Sequence, residues 1–200
     1  MLRNLRTATI MLLAFTLLTG VAYPLAITGV GWVMMQDHAL GSLVERDGRV
    51  VGSSLVGQSF TTARYFHPRP SATSGADPAD ASKTIDAPYN AAASTGSNLG
   101  PITKKLLDRA QGSVDELRKE GVAGPIPVDA VTTSSSGLDP DISPANALLQ
   151  VARVARARAL PEDRVRGLVN GEVQGRALGL LGEPRVNVLR LNLALDTLKP

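Results

Sequence analysis

Residues 7–36 read TATIMLLAFTLLTGVAYPLAITGVGWVMMQ, a run of 30 residues in which no side chain is charged at pH 7. An α-helix rises about 1.5 Å per residue, so about 20 apolar residues cross the hydrocarbon core of a bilayer. The run therefore predicts a transmembrane helix. Because no second run of this kind occurs in the sequence, residues 37–200 are expected to lie on one side of the membrane.

The charges around this run predict its orientation. Arg3 and Arg6 precede it, and short basic segments beside a span stay in the cytoplasm. We expect a cytoplasmic arm at residues 1–6, a transmembrane helix and exit at 7–36, and a soluble extracytoplasmic domain at 37–200. A cleaved signal peptide has a similar basic start, but its apolar region normally covers only about 7–15 residues. The length of the run, and Trp32 near its outer end, favour a retained anchor.

Within the span, Thr16, Gly20 and Pro24 recur every four residues and are expected to share one helix face. Small residues at this spacing allow a second transmembrane helix to approach closely. Pro24 removes one backbone donor and should kink the helix unless a neighbour compensates. Since small and hydroxyl residues are common in any span, packing against a partner helix is one of two open interpretations.

Composition excludes several classes of function. The chain contains 21 Lys and Arg against 18 Asp and Glu, and without Arg3 and Arg6 the net charge is only +1. This balance does not indicate a nucleic-acid surface. The absence of cysteine excludes disulfides, thiolate metal sites and cysteine nucleophiles. With His38 and His67 as the only histidines, no metal centre is expected.

After the span, patterns of strands and helices alternate. Asp47-Gly48 predicts a hairpin with strands at about 42–46 and 49–56. Residues 72–97 are rich in Ser, Ala, Gly, Asp and Pro and predict a long irregular loop. Residues 125–132, bounded by prolines, predict a short buried strand. Residues 186–193 alternate apolar and polar side chains and predict a half-buried strand.

Three helices are predicted from apolar positions that recur at three and four residues. The first begins near Pro101 and stops at Gly121. The second has Ser143 as its N-cap and runs to about Leu160, and a short third helix opens at 161–163. Arginines at 153, 156 and 158 suggest a solvated face, with pairing to carboxylates at an interface as the alternative. The expected fold is α+β (mixed α/β), one domain behind one N-terminal transmembrane helix.

No stretch predicts a catalytic site. The serine-rich residues 132–137 lack both the GxxxxGKS/T pattern of a phosphate-binding loop and the Gly-x-Ser-x-Gly of a hydrolase. Local turn and capping chemistry explains these serines. His67 lies beside Pro68 and is interpreted as a packing or backbone hydrogen-bonding residue. The catalytic and metal-binding sets are therefore expected to be empty.

Seven short motifs follow one another along the chain. They are GSSLVGQ at 52–58, YFHPRPS at 65–71, GSNLGP at 96–101, PVD at 127–129, SGLDPDISP at 136–144, LGEPRVNVL at 181–189 and LNLALD at 191–196. In this order, and behind a single span, they resemble the C subunit of the Kdp-type potassium-transporting P-type ATPase. Each motif is weak alone, but the resemblance covers almost the whole chain.

This resemblance implies an accessory subunit rather than an enzyme. In that family a channel-like A subunit binds and passes potassium, and an ATP-hydrolysing B subunit drives transport. The C subunit is needed for the assembled complex and is described as a catalytic chaperone that raises the ATP affinity of the B subunit. The resemblance thus implies both subunits and the membrane as partners, ATP only through the B subunit, and a place in the bacterial inner membrane.

The family motifs also supply candidate interaction residues. These are Gly57, Gln58, Tyr65, Phe66, His67, Arg69, Ser97, Asn98, Ser136, Gly137, Asp139, Ser143, Gln150, Asn187 and Asn192. For a role in nucleotide affinity, residues 136–139 and Gln150 are the positions that the resemblance implies.

The predicted topology conflicts with that nucleotide role, because ATP is cytosolic and residues 37–200 are expected outside. We therefore favour an outer domain over the ion entrance of the pore subunit, where Asp and Glu raise the local potassium concentration or gate the entrance. A free-standing membrane-anchored binding module of the cell envelope is the alternative. An anchored hydrolase is a third class, which the missing catalytic residues disfavour.

Overall fold

A computed structural model describes residues 2–198 and separates the chain into two units, with the boundary between Ser53 and Ser54. The first unit starts with one long helix, Leu2–Met34, of 33 residues, in which an 18-residue stretch has a mean hydropathy of 2.1. Its parts are α1 (Leu2–Leu17), a π-helical turn (Leu18–Ala22) and α2 (Tyr23–Met34), followed by the short α3 (Gln36–Ala39). The predicted apolar N-terminal helix is confirmed.

The π-helical turn lies directly before Pro24. Tyr23 N–H donates to the carbonyl of Leu18, five residues back. A proline has no N–H to donate, and its ring clashes with the carbonyl four residues earlier, here that of Gly20. Widening one turn shifts the hydrogen-bond register and accommodates the proline. The irregularity expected at Pro24 is thus present, whereas the packing of Thr16 and Gly20 against a second helix stays a prediction.

The predicted hairpin is confirmed, and it is the last element of the first unit. Strands β1 (Leu43–Arg46) and β2 (Arg49–Ser53) pair antiparallel. Asp47 and Gly48 have φ of 52° and 72°, the two positive values that a type I′ turn requires. The register shifts between Val44 and Glu45, opposite Gly52 and Val50, which marks a β-bulge in this hairpin.

The second unit mixes helices with short antiparallel strands, which confirms the α+β class. Its elements are β3 (Ser74–Asp77), β4 (Asp80–Asp86), α4 (Lys104–Lys119), a 3₁₀ helix (Val128–Ala130), β5 (Asp141–Ile142), α5 (Pro144–Arg158), α6 (Glu162–Gly171), β6 (Val173–Gln174), β7 (Arg185–Asn187) and α7 (Val188–Thr197). β3 and β4 form a hairpin, and β7 lies between β5 and β6 in a three-stranded sheet.

The hydrophobic core of this unit lies among α5, α6, α7 and the three-stranded sheet. Its fully or almost fully buried side chains are Phe66, Ile142, Ala147, Val151, Val154, Ala155, Val165, Val169, Val186, Val188, Leu191 and Leu195. Burying an aliphatic or aromatic side chain of this size contributes about 1.5–3 kcal/mol. Phe66 is the core residue contributed by segment 65–71, which contains two prolines, and it is 0% exposed.

The prediction of an irregular loop at 72–97 is wrong for its first half. β3 and β4 form a hairpin joined by Pro78 and Ala79. Asp77 Oδ1 accepts from the N–H of Ala79 at 2.8 Å, and Asp80 Oδ1 accepts from the N–H of Ser82 at 3.1 Å. Aspartates that bond their own backbone two residues on stabilise tight turns, so a composition typical of loops here builds an exposed hairpin.

The strand predicted at 125–132 and the predicted start of the first helix are both corrected. Residues 125–132 contain a 3₁₀ helix, because the carboxylate of Asp129 is turned toward the start of α5, where it accepts from the N–H and Oγ of Ser143, both at 2.8 Å. α4 begins at Lys104 after Thr103 rather than near Pro101. The N-cap predicted at Ser143 is confirmed, since its Oγ accepts from the N–H of Asn146 at 3.0 Å.

The strand predicted at 186–193 is wrong after Asn187. The Oδ1 of Asn187 accepts from the N–H of Arg190 at 3.1 Å and caps α7. From there Leu191, Asn192 and Leu195 share a buried face at helical spacing. The apolar residues here recur both at every second position and at intervals of three and four, so they fit a strand and a helix alike. The cap formed by Asn187 selects the helix.

We expect Asn187→Ala to destabilise the chain by about 2 kcal/mol, since it removes a cap and leaves two acceptors without their donor. The Nδ2 of Asn187 donates to the carbonyl of Ser54 at 3.0 Å and to Asp141 Oδ1 at 3.1 Å. The full chain in detergent, followed by circular dichroism, should lose roughly 4–8 °C in Tm. The control is Asn170→Ala, at an exposed asparagine of α6. Equal Tm values for the two variants would contradict the capping role.

Candidate functional site

Two side-chain amides hold the backbone of Phe66 and His67. Asn192 accepts from the N–H of Phe66 at 2.8 Å and donates to its carbonyl at 3.0 Å. Gln150 accepts from the N–H of His67 at 2.7 Å and donates to its carbonyl at 3.0 Å. Both amides are buried, at 2% and 7% exposure. They take the place of a neighbouring strand, so an extended segment is fixed to α5 and α7 without a β-ladder.

A buried polar network continues from Gln150 to the start of α5. Gln150 Nε2 donates to Asn146 Oδ1 at 3.0 Å, and Asn146 Nδ2 donates to Asp129 Oδ2 at 3.1 Å. Asp129 also accepts from Ser143, as described above. One carboxylate thus fixes the 3₁₀ helix to the cap of α5 through charge-assisted hydrogen bonds, which are among the strongest in proteins.

A second cluster surrounds the ion pair of Arg69 and Asp139, whose Nη1 and Oδ2 atoms are 2.8 Å apart. The Oη of Tyr89 donates to the carbonyl of Arg69 at 2.7 Å. Burial, followed by the charge of Asp139, raises the pKa of Tyr89 and keeps it a neutral donor. Asp139 Oδ1 also accepts from the N–H of Asp141 at 3.0 Å. The cluster joins segment 65–71 to the loop that precedes β5.

Glycine is required at two positions beside this cluster. A Cβ at Gly57 would lie 2.6 Å from the carbonyl oxygen of Asp139. Gly57 N–H donates to the carbonyl of Leu138 at 2.8 Å. Gly137 has a φ of +68°, and a Cβ there would lie 2.5 Å from Thr73 Cγ2. These two motif glycines allow close backbone packing rather than the approach of a phosphate.

Two arginines of α5 do not form the solvated face that was suggested. Arg158 has a side chain only 9% exposed and pairs with Asp196 at 2.7 Å. Its guanidinium lies 4.8 Å from the centre of the Tyr65 ring, and Tyr65 Oη donates to Asp196 Oδ2 at 3.3 Å. Arg153 Nη1 donates to the carbonyls of Ala63 and Tyr65 at 2.9 and 3.0 Å. Arg158 thus pairs with a carboxylate inside the domain, Arg153 holds the backbone of segment 63–65, and Arg156 is exposed.

A cavity of about 450 Å³ opens beside the first cluster, with His67, Arg153 and Glu120 in its wall. His67 Nε2 lies 3.0 Å from the carbonyl oxygen of Thr62 and 3.2 Å from Arg153 Nη1. Burial, and then the positive charge of Arg153, lower the pKa of His67. Arg153 Nε lies 3.6 Å from Glu120, and burial lowers the pKa of this arginine. The hydrogen bonds from Arg153 to the carbonyls of Ala63 and Tyr65 place it in this wall.

Most of the candidate residues come together, and a few do not. The two clusters contain Gly57, Phe66, His67, Arg69, Gly137, Asp139, Ser143, Gln150 and Asn192, and Tyr65 and Asn187 lie against the same helices. Ser136 is exposed, and its Oγ accepts from the N–H of Leu138 at 3.1 Å. Ser97 and Asn98 lie in the loop before α4, where Asn98 has a φ of 50°. Gln58 follows Gly57 and is half-buried.

Sequence reasoning missed several residues of these clusters. They are Tyr89, Asp129, Asn146, Arg153, Arg158 and Asp196. Asp129 follows two prolines and Asn146 follows the Ser143 cap, so a search for partners of that cap would have found both. In residues 2–198 no group of three or more histidine and acidic side chains is placed to hold a metal ion.

The pH dependence of stability tests the placement of His67. Its folded pKa is lowered from 6.5, so the unfolded chain binds the proton more readily. The contribution of His67 to the free energy of unfolding is therefore fully present above about pH 6.5, and it is lost as the pH falls toward the pKa of the folded state. Between pH 7.5 and 5.5, His67→Gln should reduce the loss of Tm that the unsubstituted chain shows. His38→Gln, at an exposed position, should keep the original pH slope, and identical slopes for both variants would contradict the assignment.

Comparison with known proteins identifies the family. The family model described as K+-transporting ATPase, c chain, matches residues 5–197. A potassium-transporting ATPase KdpC subunit of Methylorubrum extorquens is 64% identical over 195 residues, which cover 98% of this chain and 97% of the relative. Proteins of the same name from Methylobacterium nodulans and Rhodopseudomonas palustris are 63% and 60% identical, over 99% and 100% of this chain and 98% and 100% of their own lengths. The chain therefore belongs to the KdpC family of potassium-transporting ATPase subunits.

Proposed function

We propose that this chain is a non-catalytic accessory subunit that is anchored by its N-terminal helix and places its soluble domain over the outer ion entrance of the channel-like A subunit. The observation that carries the proposal is the 33-residue helix Leu2–Met34, whose first turns hold Arg3 and Arg6 ahead of its apolar stretch, in a chain of this family. Basic residues on the short N-terminal side favour a cytoplasmic N-terminus. The second unit then lies in the extracytoplasmic space, on the side from which potassium is taken up.

One cavity of the second unit has a small excess of acidic side chains. A cavity of about 490 Å³ is lined by acidic and basic side chains together. The acidic ones are Asp129, Asp139, Asp141 and Glu183, and the basic ones are Arg69 and Arg185, so the lining has a net charge of −2. Burial, and more weakly the charge of Asp139, raise the pKa of Asp141. Three of these carboxylates are paired with arginines, Asp139 with Arg69, Asp141 with Arg185 and Glu183 with Arg176, so this lining adds only a small attraction for cations.

The structure also bears on the nucleotide role that the family resemblance implies. Gln150, the proposed contact for nucleotide, uses its oxygen and nitrogen on the backbone of His67, and the oxygen also accepts from Arg153 at 2.6 Å. Ser136 Oγ accepts from the backbone of its own loop. A side chain already bonded inside the domain would have to give up those bonds to hold ATP. We therefore assign ATP to the B subunit, which this chain would reach through its span within the bilayer.

The topology is tested with reporters fused after Pro200. Alkaline phosphatase, which is active only outside the cytoplasm, should be active there, and a green fluorescent protein fusion should be dark. The physical reason is the charge asymmetry of the span, so Arg3→Glu together with Arg6→Glu should reduce phosphatase activity at equal expression. A bright fluorescent fusion with inactive phosphatase would place the domain in the cytosol and make nucleotide affinity the better assignment.

The function of the outer unit is tested by ending the chain after Ser53, the boundary of the first unit. Expressed with the other subunits, the shortened chain should still co-purify through its helix, while the potassium concentration for half-maximal ATPase activity should rise several-fold. The full-length chain from the same expression system is the control. Unchanged potassium dependence would contradict the outer-domain role. A full-length chain that purifies alone would favour the free-standing binding module instead.

A further inference from the structure

The turn between β6 and β7 exposes an unusual amount of apolar surface. We name residues 176–183 the leucine turn. Its Leu178, Leu180 and Leu181 are 91%, 80% and 65% exposed. Single exposed apolar residues such as Ile102, 90% exposed, are ordinary on a protein surface, whereas contiguous ones mark places of contact. Three leucines within four residues form such a contiguous patch.

The backbone of the leucine turn is fixed. Ala177 and Leu181 exchange both backbone hydrogen bonds, at 2.8 and 2.9 Å. Leu178 has a φ of 55°, a conformation that a leucine rarely adopts, and Gly179 and Gly182 have φ of 75° and 79°. A patch that is exposed on an ordered turn loses little conformational entropy when it binds, which favours binding to a surface of complementary shape.

The charges beside the turn argue against a lipid surface as its occupant. Arg176 pairs with Glu183 at 2.7 Å, and Arg185 pairs with Asp141 at 3.0 Å. Segments that bind anionic lipid carry basic side chains that are free to meet the headgroups. Here each of these two arginines is neutralised within the domain, so the rim of the patch offers no net positive charge. Binding to an apolar pocket of a protein does not require positive charge.

We propose that the leucine turn docks into an apolar pocket on the extracytoplasmic face of a membrane-embedded partner subunit. This inference rests on the proposed function, since it requires the second unit to lie outside. It assigns the partner contact to residues 178–181, whereas the candidates from the family motifs are largely engaged within the domain. Fixed shape, contiguous leucines and a neutral rim are the three features that fit this occupant.

The chain contains no cysteine, so an introduced cysteine is its single thiol. The rate at which that thiol reacts reports how accessible its position is. Leu180→Cys is compared with Ala79→Cys, which lies in the exposed turn between β3 and β4. Spheroplasts are treated with a membrane-impermeant polyethylene-glycol maleimide, and the gel shift of the tagged chain is followed over time. In the assembled complex Leu180→Cys should react at least about ten-fold more slowly than in the chain expressed alone. Ala79→Cys should react at the same rate in both.

Each outcome of the labelling experiment either supports or overturns the docking proposal. Equal rates for Leu180→Cys with and without the partner subunits would show a free turn and overturn the docking proposal alone. Slow reaction even in the chain alone would show that the turn is covered without the partner subunits and would also overturn the proposal. If Ala79→Cys reacted only after lysis, the domain would lie in the cytosol, and the proposed function would fail together with this inference.

A second measurement follows the strength of the contact. Leu180→Ser should be lost from the detergent-purified complex about ten-fold faster during washing, while Ile102→Ser should be retained like the unsubstituted chain. Because both positions are exposed, neither substitution should lower the Tm of the chain, so a loss from the complex reports the contact rather than unfolding. Equal retention of the two variants would contradict the proposal.

Discussion

The second unit depends on the attachment of one extended segment to two helices by side-chain amides. Segment 65–71 contains two prolines, which have no N–H for a β-ladder. Asn192 of α7 and Gln150 of α5 instead bond the N–H and carbonyl groups of Phe66 and His67. Because these amides are buried, the loss of either would leave backbone groups unsatisfied in the core, at a cost of about 1–3 kcal/mol for each group. The position of Phe66 in the core follows from this attachment.

This attachment explains why polar motifs in the sequence need not mark a site of chemistry. Gln150, Asn146, Ser143 and Asp129 form one connected network, and buried networks of this kind specify a unique arrangement when every member is satisfied. The glycines at 57 and 137 permit the close approaches beside it. The sequence pattern that supports family membership is thus, at these positions, a pattern of internal hydrogen bonding and packing.

An element of the fold could be predicted from the sequence where residues close to it in the chain are sufficient to form it. The apolar helix, the Asp47-Gly48 hairpin and the Ser143 cap were predicted correctly, because hydropathy, positive φ and capping act within a few residues. The 3₁₀ helix at Val128–Ala130 was missed because its cause is a carboxylate that reaches Ser143 on another element. The end of β7 was missed because a single capping side chain decides between two periods that the same leucines satisfy.

The same distinction separates the residues that hold the domain from those able to contact a partner. Arginine at 153 and 158 suggested solvated charge, yet each is largely buried and bonded to the backbone or to Asp196. Leucine at 178 and 180 belongs to a residue type that usually fills a core, yet each is almost fully exposed. Internal bonds occupy Arg153 and Arg158 of α5, whereas an ordered turn exposes apolar side chains. A subunit that must bind inside a membrane complex gains more from such exposed apolar area than from charges it has already paired.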